Sequence, residues 1–392
     1  MPPGKKRNQN TMDKYSAAIF RLFEQTGFPA DAFFASKSFD GRKIVIYGAG
    51  EGFHWVQEVL MRHYHYDPWI VLDRRFSRGD TFEGFPAFSP LDYHPTEEEQ
   101  REAVVIVCVG KQEHHAEIVR CLQGLGFRNI ILMMDVYEIH NPLRLPEELQ
   151  KKGFKFYLER KERIIGCLDL FEDDESREVY SRCLQTHMRR KPVPLPARPR
   201  AEQYFPKDIP LSRGYSKFVN CGAYDGDTVR LLNAVHGKVD DLVCFETEPL
   251  LFQRLVEYLR KNKDDLARNI VAMPCAVYGK EGLVRFISGG GLGSRISEDG
   301  DVLVQAVALD HVLPGFDPTF ICMDVEGVEP EVLKGAEGLI RANRPDLGIC
   351  VYHAPHHLWE IPLYLHGLGL GYRFYMRNYT TFTTETVLYA AT

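Results

Sequence analysis

The residues best suited to chemistry lie between Phe218 and Thr228, where an apolar run breaks into glycines and then into a helical pattern. Gly222 and Gly226 let the backbone turn sharply and approach a ligand, and the helix start at Asp227 and Thr228 presents unpaired N–H groups. A second apolar run, Asp241 to Phe245, ends in Glu246. An acidic side chain at the end of the next strand, roughly 20 residues past a glycine turn, suits a ribose whose two hydroxyls need acceptors. The pattern therefore points to a nucleoside site; the bland alternative is a glycine turn that only permits tight packing. Two later apolar runs also end in ionisable groups: Cys322 to Glu329 carries Asp324 and Glu326, and Tyr352 to His356 carries His353. Ligands of open α/β sheets sit at the carboxyl ends of the strands, which puts these groups on the same rim. Between them, Gly289 to Ile296 is glycine-rich enough to fold over a substrate, with Ser294 or Arg295 as a polar contact.

The elements that must hold these residues read as strands at Ser216 to Asn220, Leu242 to Glu246, Ile270 to Met273, Thr319 to Met323 and Leu347 to Tyr352, with helices between them. Tyr372 to Arg377, a threonine-rich turn and Thr386 to Ala390 follow. Strands joined by so short a turn are antiparallel. A doubly wound sheet closed by such a hairpin separates a methyltransferase from a dehydrogenase.

A similar opening occurs earlier in the chain. Lys43 to Tyr47 reads as a strand running into Gly48, Gly50 and Gly52, then a helix to about Tyr64, then a strand from Trp69 to Leu72 ending at Asp73. A polar loop, a strand from Ala103 to Val109, a helix from Glu113 to Leu125 and a strand from Asn129 to Met133 complete this unit. Gly48, Gly50, Gly52 and Asp73 either hold a nucleotide-type group or belong to a scaffold that binds nothing, because a fold does not dictate a function. The whole chain is thus expected to be α/β, with two Rossmann-like units. The expected domains are a helical lead-in at 1–40, a nucleotide-binding-type unit at 41–140, a helical connector with a proline-rich linker at 141–212, and a catalytic unit at 213–392.

Composition narrows the function classes. A 392-residue chain with 44% hydrophobic and 26% charged residues is globular, and a net charge of −6 gives no reason to expect nucleic acid as a partner. No run of 18 apolar residues appears and the N-terminal stretch is basic and polar, so no membrane insertion is expected and the expected location is cytoplasmic. The nine cysteines form no C-x-x-C and sit mostly in apolar runs, as buried thiols do in a reducing compartment. No metal is expected from their spacing.

At these residues the second unit resembles the FkbM family of S-adenosylmethionine-dependent methyltransferases. The likeness runs through Tyr204 to Pro206, Phe218 to Thr228, Phe245-Glu246, Leu309-Asp310, Ile321 to Glu329, Gly335-Ala336, Ile349 to His353, Trp359 to Pro362 and Glu385 to Ala390. It implies a class I methyltransferase sheet with a C-terminal antiparallel hairpin, S-adenosylmethionine as cofactor, and O-methylation of a hydroxyl on a sugar or natural product. The acceptor is expected to be a small molecule or glycan. The family usually carries Asp where this chain has Asn220; Asn accepts a hydrogen bond but brings no charge against a sulfonium. Asp225, Asp227 or Asp324 is then left to supply that charge.

On this reading Asn220, Gly222, Ala223, Tyr224, Gly226, Asp227 and Thr228 surround the amino-acid end of the cofactor. Glu246 binds its ribose, and Cys275 and Ala276 border the adenine. Asp324, Glu326 and His353 are the candidate base and acceptor-orienting groups, His353 because imidazole titrates near neutrality. Two rivals differ in class: an NAD-dependent sugar-modifying enzyme working through Gly48, for which the first unit, 41–140, supplies no obvious Tyr-x-x-x-Lys set, and a non-catalytic nucleotide-binding module.

Overall fold

The structure, a computed structural model, describes residues 13–25, 27–28, 41–61, 65–110, 114–133, 136, 145–190, 193–288, 295–296, 300 and 302–392. It divides into two compact units: Gln25–Phe156 with Gln185–Val193, and Met1–Glu24 with Tyr157–Leu184 and Pro194–Thr392. No described helix is long and apolar enough to cross a membrane.

In the first of these units, short runs of β-branched residues form the strands β1 (Ile44–Tyr47), β2 (Ile70–Leu72), β3 (Asp80–Phe82), β4 (Phe85–Phe88), β5 (Val104–Val107) and β6 (Asn129–Leu132). Their order is β3-β4-β2-β1-β5-β6, parallel except for β3 against β4. Ile44 and Ile46 pack in one cluster while Val45 and Tyr47 pack in another, so both faces of the sheet are covered. The β3–β4 hairpin occupies part of what reads in the sequence as a polar loop. Glu83 and Gly84, at φ +51 and +84, make the two-residue turn that a tight hairpin requires, between Phe82 and Phe85.

The second unit is built on β7 (Lys217–Cys221), β8 (Val239–Phe245), β9 (Ala267–Met273), β10 (Ala276–Val277), β11 (Gly282–Ile287), β12 (Arg295–Ile296), β13 (Val302–Val307), β14 (Phe320–Met323), β15 (Asp346–Cys350), β16 (Arg373–Asn378) and β17 (Thr386–Ala391). Seven of these make one sheet in the order β16-β17-β15-β14-β7-β8-β9. β17 runs antiparallel to both β15 and β16, which is the expected C-terminal hairpin. The other pairings are parallel. Strands β10 to β13 form a separate four-stranded sheet that the sequence reading lacks. Leu283 and Leu303 point outward there, at 67% and 60% exposure, so the apolar-in, polar-out alternation that marks a strand is absent.

The expected connector and proline-rich stretch, 141–212, is shared between the units: 157–184 and 194–212 fall within this one, and 145–156 and 185–193 within the first. Arg377 of β16, whose side chain is 2% exposed, explains why 157–184 and 194–212 belong here. Its guanidinium donates to Asp173 Oδ2 at 2.6 Å, to Asp208 Oδ2 at 2.8 Å and to Ser176 Oγ at 2.9 Å. Glu172 N–H donates to the Phe374 carbonyl, so the connector covers the β16 edge that would otherwise present unpaired backbone groups.

Replacing Arg377 with Met should lower stability by about 2–3 kcal/mol, less than for a wholly buried pair because Asp173 and Asp208 keep 34% of their side-chain surface. Burial pushes the Asp173 carboxyl up, but the Arg377 guanidinium and Ser176 outweigh it and hold it below the usual range. A depressed carboxylate stabilises the fold above its unfolded pKa of about 3.9 and loses that contribution as pH falls through the folded value. Urea unfolding of wild type and Arg377→Met should therefore converge below about pH 4. A gap that persists at low pH would contradict this assignment.

Candidate active site

β7 ends at Cys221 and the chain turns at Gly222, φ +84. The Gly222 and Ala223 N–H groups both donate to the Phe245 carbonyl, at 3.0 and 2.8 Å. A Cβ at position 222 would lie 1.9 Å from the Asp324 carbonyl oxygen. Only glycine lets the end of β7 lie this close to the end of β14. Gly226, φ +92, starts the helix Asp227–Val235. Glu246, just past β8, is 9% exposed and ties this turn to the next helix. Its Oε2 accepts from Tyr224 N–H at 2.7 Å and its Oε1 from Glu248 N–H at 2.8 Å. Burial pushes the Glu246 carboxyl up despite these bonds. A carboxylate has about four acceptor positions, so two ribose hydroxyls can still be received.

Beside this turn lies a cluster of charge. Glu329 is wholly buried at the start of the helix Glu329–Gly335, and its Oε1 accepts from Val325 N–H at 3.1 Å, which shapes the 324–328 loop. The same oxygen lies 2.8 Å from His353 Nδ1, and Oε2 lies 3.3 Å from His357 Nδ1. His353 Nε2 faces Asp324 Oδ1 at 3.3 Å and Glu326 Oε2 at 3.6 Å. Burial works against a charged imidazole, but Glu329, Glu326 and Asp324 overcome it and raise His353 to about 10. Burial likewise disfavours a charged Glu329, yet His353 and His357 hold that carboxyl well below the usual range. His353 is thus an imidazolium at neutral pH and has no lone pair with which to take a proton. Asp324, with its side chain 28% exposed, is raised to about 7, chiefly by burial and with His353 opposing. It accepts from Tyr204 Oη at 3.2 Å and Tyr352 Oη at 3.3 Å. Burial pushes both phenols well above their ordinary value, so both stay protonated and donate.

These groups border a cavity of about 470 Å³, within the range of about 300–1,000 Å³ for small-molecule pockets. Of the residues expected from the sequence, Gly222, Tyr224, Asp227, Thr228, Glu246, Cys275, Ala276, Asp324 and Glu326 line it. Ala223 and Gly226 shape the turn from behind. His353 acts on the wall through Asp324 and Glu326. Asn220 is 0% exposed and is not part of the wall, and its amide has no hydrogen-bond partner among the described residues. Of the acids expected to compensate for Asn220, Asp227 and Asp324 line the cavity, whereas Asp225 is engaged in an ion pair with Arg230. Ser294 lies outside the described residues, and Arg295 is placed only as a β12 backbone position opposite Ile287.

Sequence reasoning assigned no role to several lining residues. Arg200, Gln203 and Tyr204 come from the proline-rich stretch, and Glu385 from the final hairpin. Glu385 receives hydrogen bonds from Gln203 at 2.7 Å and pairs with Arg200 at 2.7 Å. Tyr204, Tyr224, Glu326 and Glu385 all have positive φ, at +66, +49, +55 and +62. Strained non-glycine backbone of this kind collects at functional sites. Tyr204 and Glu385 both fall in stretches that carry the family resemblance, which was the available signal.

The earlier glycine turn repeats part of this geometry in the other unit. Gly48, φ +103, donates to the Leu72 carbonyl at 2.8 Å, and Asp73 accepts from Ala49 N–H at 3.0 Å and Arg75 N–H at 3.1 Å. Gly50 starts the helix Glu51–Val59. At Gly52 a Cβ would lie 2.6 Å from the Cys108 carbonyl oxygen, so that glycine is required by packing.

Residues 220–374 match the family model described as the Methyltransferase FkbM domain. No curated protein sequence matches the chain. Among solved structures, the methyltransferase FkbM from Methylobacillus flagellatus KT superposes with a TM-score of 0.72 at 22% identity, covering 96% of this chain and 98% of that one. Fibrillarin from Aeropyrum pernix, solved with natively bound S-adenosyl-L-methionine, aligns with a TM-score of 0.32 at 14% identity over 49% of this chain and 73% of its own. The second unit has the fold of S-adenosylmethionine-dependent methyltransferases, and its residues fit that cofactor. Glu246 retains acceptor capacity for a ribose, Asp227 and Asp324 present carboxyl groups to the cavity, and Leu251, Val277 and Phe286 offer apolar surface.

Gly222→Ala should lower stability by about 2–3 kcal/mol, through its positive φ and its contact with the Asp324 carbonyl. A urea midpoint equal to that of wild type would show that β7 and β14 need not approach so closely.

Proposed function

With a methyltransferase FkbM domain in residues 220–374, we propose that the chain is an O-methyltransferase acting on a hydroxyl of a sugar or other natural-product acceptor. The observation that carries this reading is the position of Asp324. It lies on the wall of the same cavity as Glu246 and Gly222, held by two tyrosine hydroxyls. S-adenosylmethionine, when bound, supplies an electrophilic methyl group. Glu246 would hold the ribose, Asp227 the amino-acid end, and Cys275 and Ala276 the adenine. Asp324 receives the acceptor hydroxyl in a hydrogen bond and takes its proton as the oxygen becomes methylated, while Tyr204 and Tyr352 keep the carboxylate aimed. Glu326, on the same wall, orients the acceptor. His353 acts by position: its charge, locked by Glu329, sets the field at Asp324 and Glu326. Arg200 and Glu385, at the same wall, close the site toward a polar acceptor.

Calorimetric titration with S-adenosylmethionine, S-adenosylhomocysteine and NAD tests the reading. The first two should bind, and Glu246→Ala should weaken them by about tenfold or more, the loss of hydrogen bonds to a charged acceptor. NAD binding alone, unaffected by Glu246→Ala, would move the chemistry to Gly48 and overturn the proposal. Asp324→Asn should leave cofactor binding within about threefold of wild type and lower kcat by about 10²-fold or more. Turnover near wild type in that variant would remove Asp324 from the role of base.

A further inference from the structure

The wall of the cavity is unequal in charge. Asp227, Glu246, Asp324, Glu326 and Glu385 all line it, while Arg200 is the one Lys or Arg among the described residues that does. S-adenosylmethionine does not match such a wall uniformly. Its sulfonium and ammonium suit carboxylates, but its amino-acid carboxylate is repelled by them. An anion taken out of water needs a cation or N–H donors close by. The ligand's one anionic group and the wall's one guanidinium are therefore matched.

The chain holds Arg200 in place. It opens the single turn Arg200–Glu202. The backbone on either side is tied down, Arg198 N–H donating to the Asn378 carbonyl at 2.8 Å and Tyr204 N–H to Tyr389 Oη at 2.9 Å. Arg200 Nη1 lies 2.7 Å from Glu385 Oε1, and Gln203 Nε2 donates to Glu385 Oε2 at 2.7 Å, so each oxygen of Glu385 is engaged and the guanidinium is fixed from one side. Glu385 is the only group paired with that guanidinium among the described residues. A guanidinium has five N–H donors in a planar fork, so most remain for a ligand, and the fork receives a carboxylate in bidentate fashion. The Arg200 side chain is 57% exposed, which leaves it within a ligand's reach. Asp227 is near: burial pushes its carboxyl up, and the Arg200 charge is among those that oppose the push. An acid for an ammonium and a guanidinium for a carboxylate thus stand on one wall, as the two charges of an amino acid require.

We propose that Arg200 binds the carboxylate at the amino-acid end of the cofactor, beside Asp227, which takes the ammonium. The assignment rests on the proposed place of the cofactor in this cavity. Arg200 then forms the partition between the amino-acid end and the acceptor, and it makes the site selective for the complete cofactor over one that lacks the carboxylate. The sequence reads this stretch as a linker; Arg200 gains its role only through Glu385, which the final hairpin brings back to it.

Calorimetric titration of the full chain with S-adenosylmethionine and with decarboxylated S-adenosylmethionine, which keeps the adenosine, sulfonium and ammonium, is the test. Wild type should bind the complete cofactor about tenfold more tightly than the decarboxylated one, the gain from charge-assisted hydrogen bonds. Arg200→Met, checked for folding by circular dichroism, should weaken S-adenosylmethionine by about tenfold and leave the decarboxylated compound within about threefold of wild type, so that the preference disappears. Arg200→Lys, which keeps the charge and loses the fork, should retain part of the preference. A wild-type chain without the preference, or a preference undiminished in Arg200→Met, overturns the assignment while leaving cofactor binding in this cavity intact. No binding of either compound by wild type removes the cofactor from the cavity and overturns the assignment with it.

Discussion

The buried contact between Glu329 and His353 governs the shape of the site. A carboxylate with no exposed surface is tolerable only if countered, and His353 and His357 supply the counter-charge. In return Glu329 gathers the N–H groups of Val325 and Gly327 and curls the 324–328 loop, which places Glu326 at φ +55 and turns Asp324 toward the cavity. Removing either partner would strand an uncompensated charge in the interior. The acidity of Asp324, the charge on His353 and the direction of Glu326 are therefore consequences of one arrangement.

The glycine turn after β7 is the second constraint, and it is purely steric. Because Gly222 has no side chain, the end of β7 and the first residue past β14 come into backbone contact, which brings the ribose-type acceptor Glu246 and the acid Asp324 to one cavity. The turn after β1 uses the same devices, a positive-φ glycine bonded to the last residue of the neighbouring strand and an acidic residue capping the loop. The two turns are alike in backbone. What distinguishes the second is the company it keeps: tyrosines, a buried histidine and carboxylates from four separate parts of the chain.

Much of this was legible in the sequence because it depends on local pattern. The strand before Gly222, the acidic end of β8 and the final hairpin all follow from apolar runs, glycines and short turns. The four-stranded sheet was not legible, since Leu283 and Leu303 put apolar side chains on its exposed face. Nor was the part played by Arg200, Gln203 and Tyr204, which reach the cavity through contacts with Glu385 and Asp324 far along the chain. The surroundings of His353 were not legible either, because Glu329, which lies 2.8 Å from its Nδ1, sits 24 residues earlier in the chain and meets it only in the folded structure. Arg377 shows the same limit: a basic residue in an apolar strand only makes sense once Asp173 and Asp208 are seen around it.

On the proposed function, the cavity bounded by Gly222, Glu246 and Asp324 receives the cofactor. A crystal structure of the chain grown with S-adenosylhomocysteine tests it most directly. The ribose should lie on Glu246, the adenine beside Ala276 and the sulfur toward Asp324. Density for the ligand at the Gly48 turn, or anywhere outside this cavity, would contradict it.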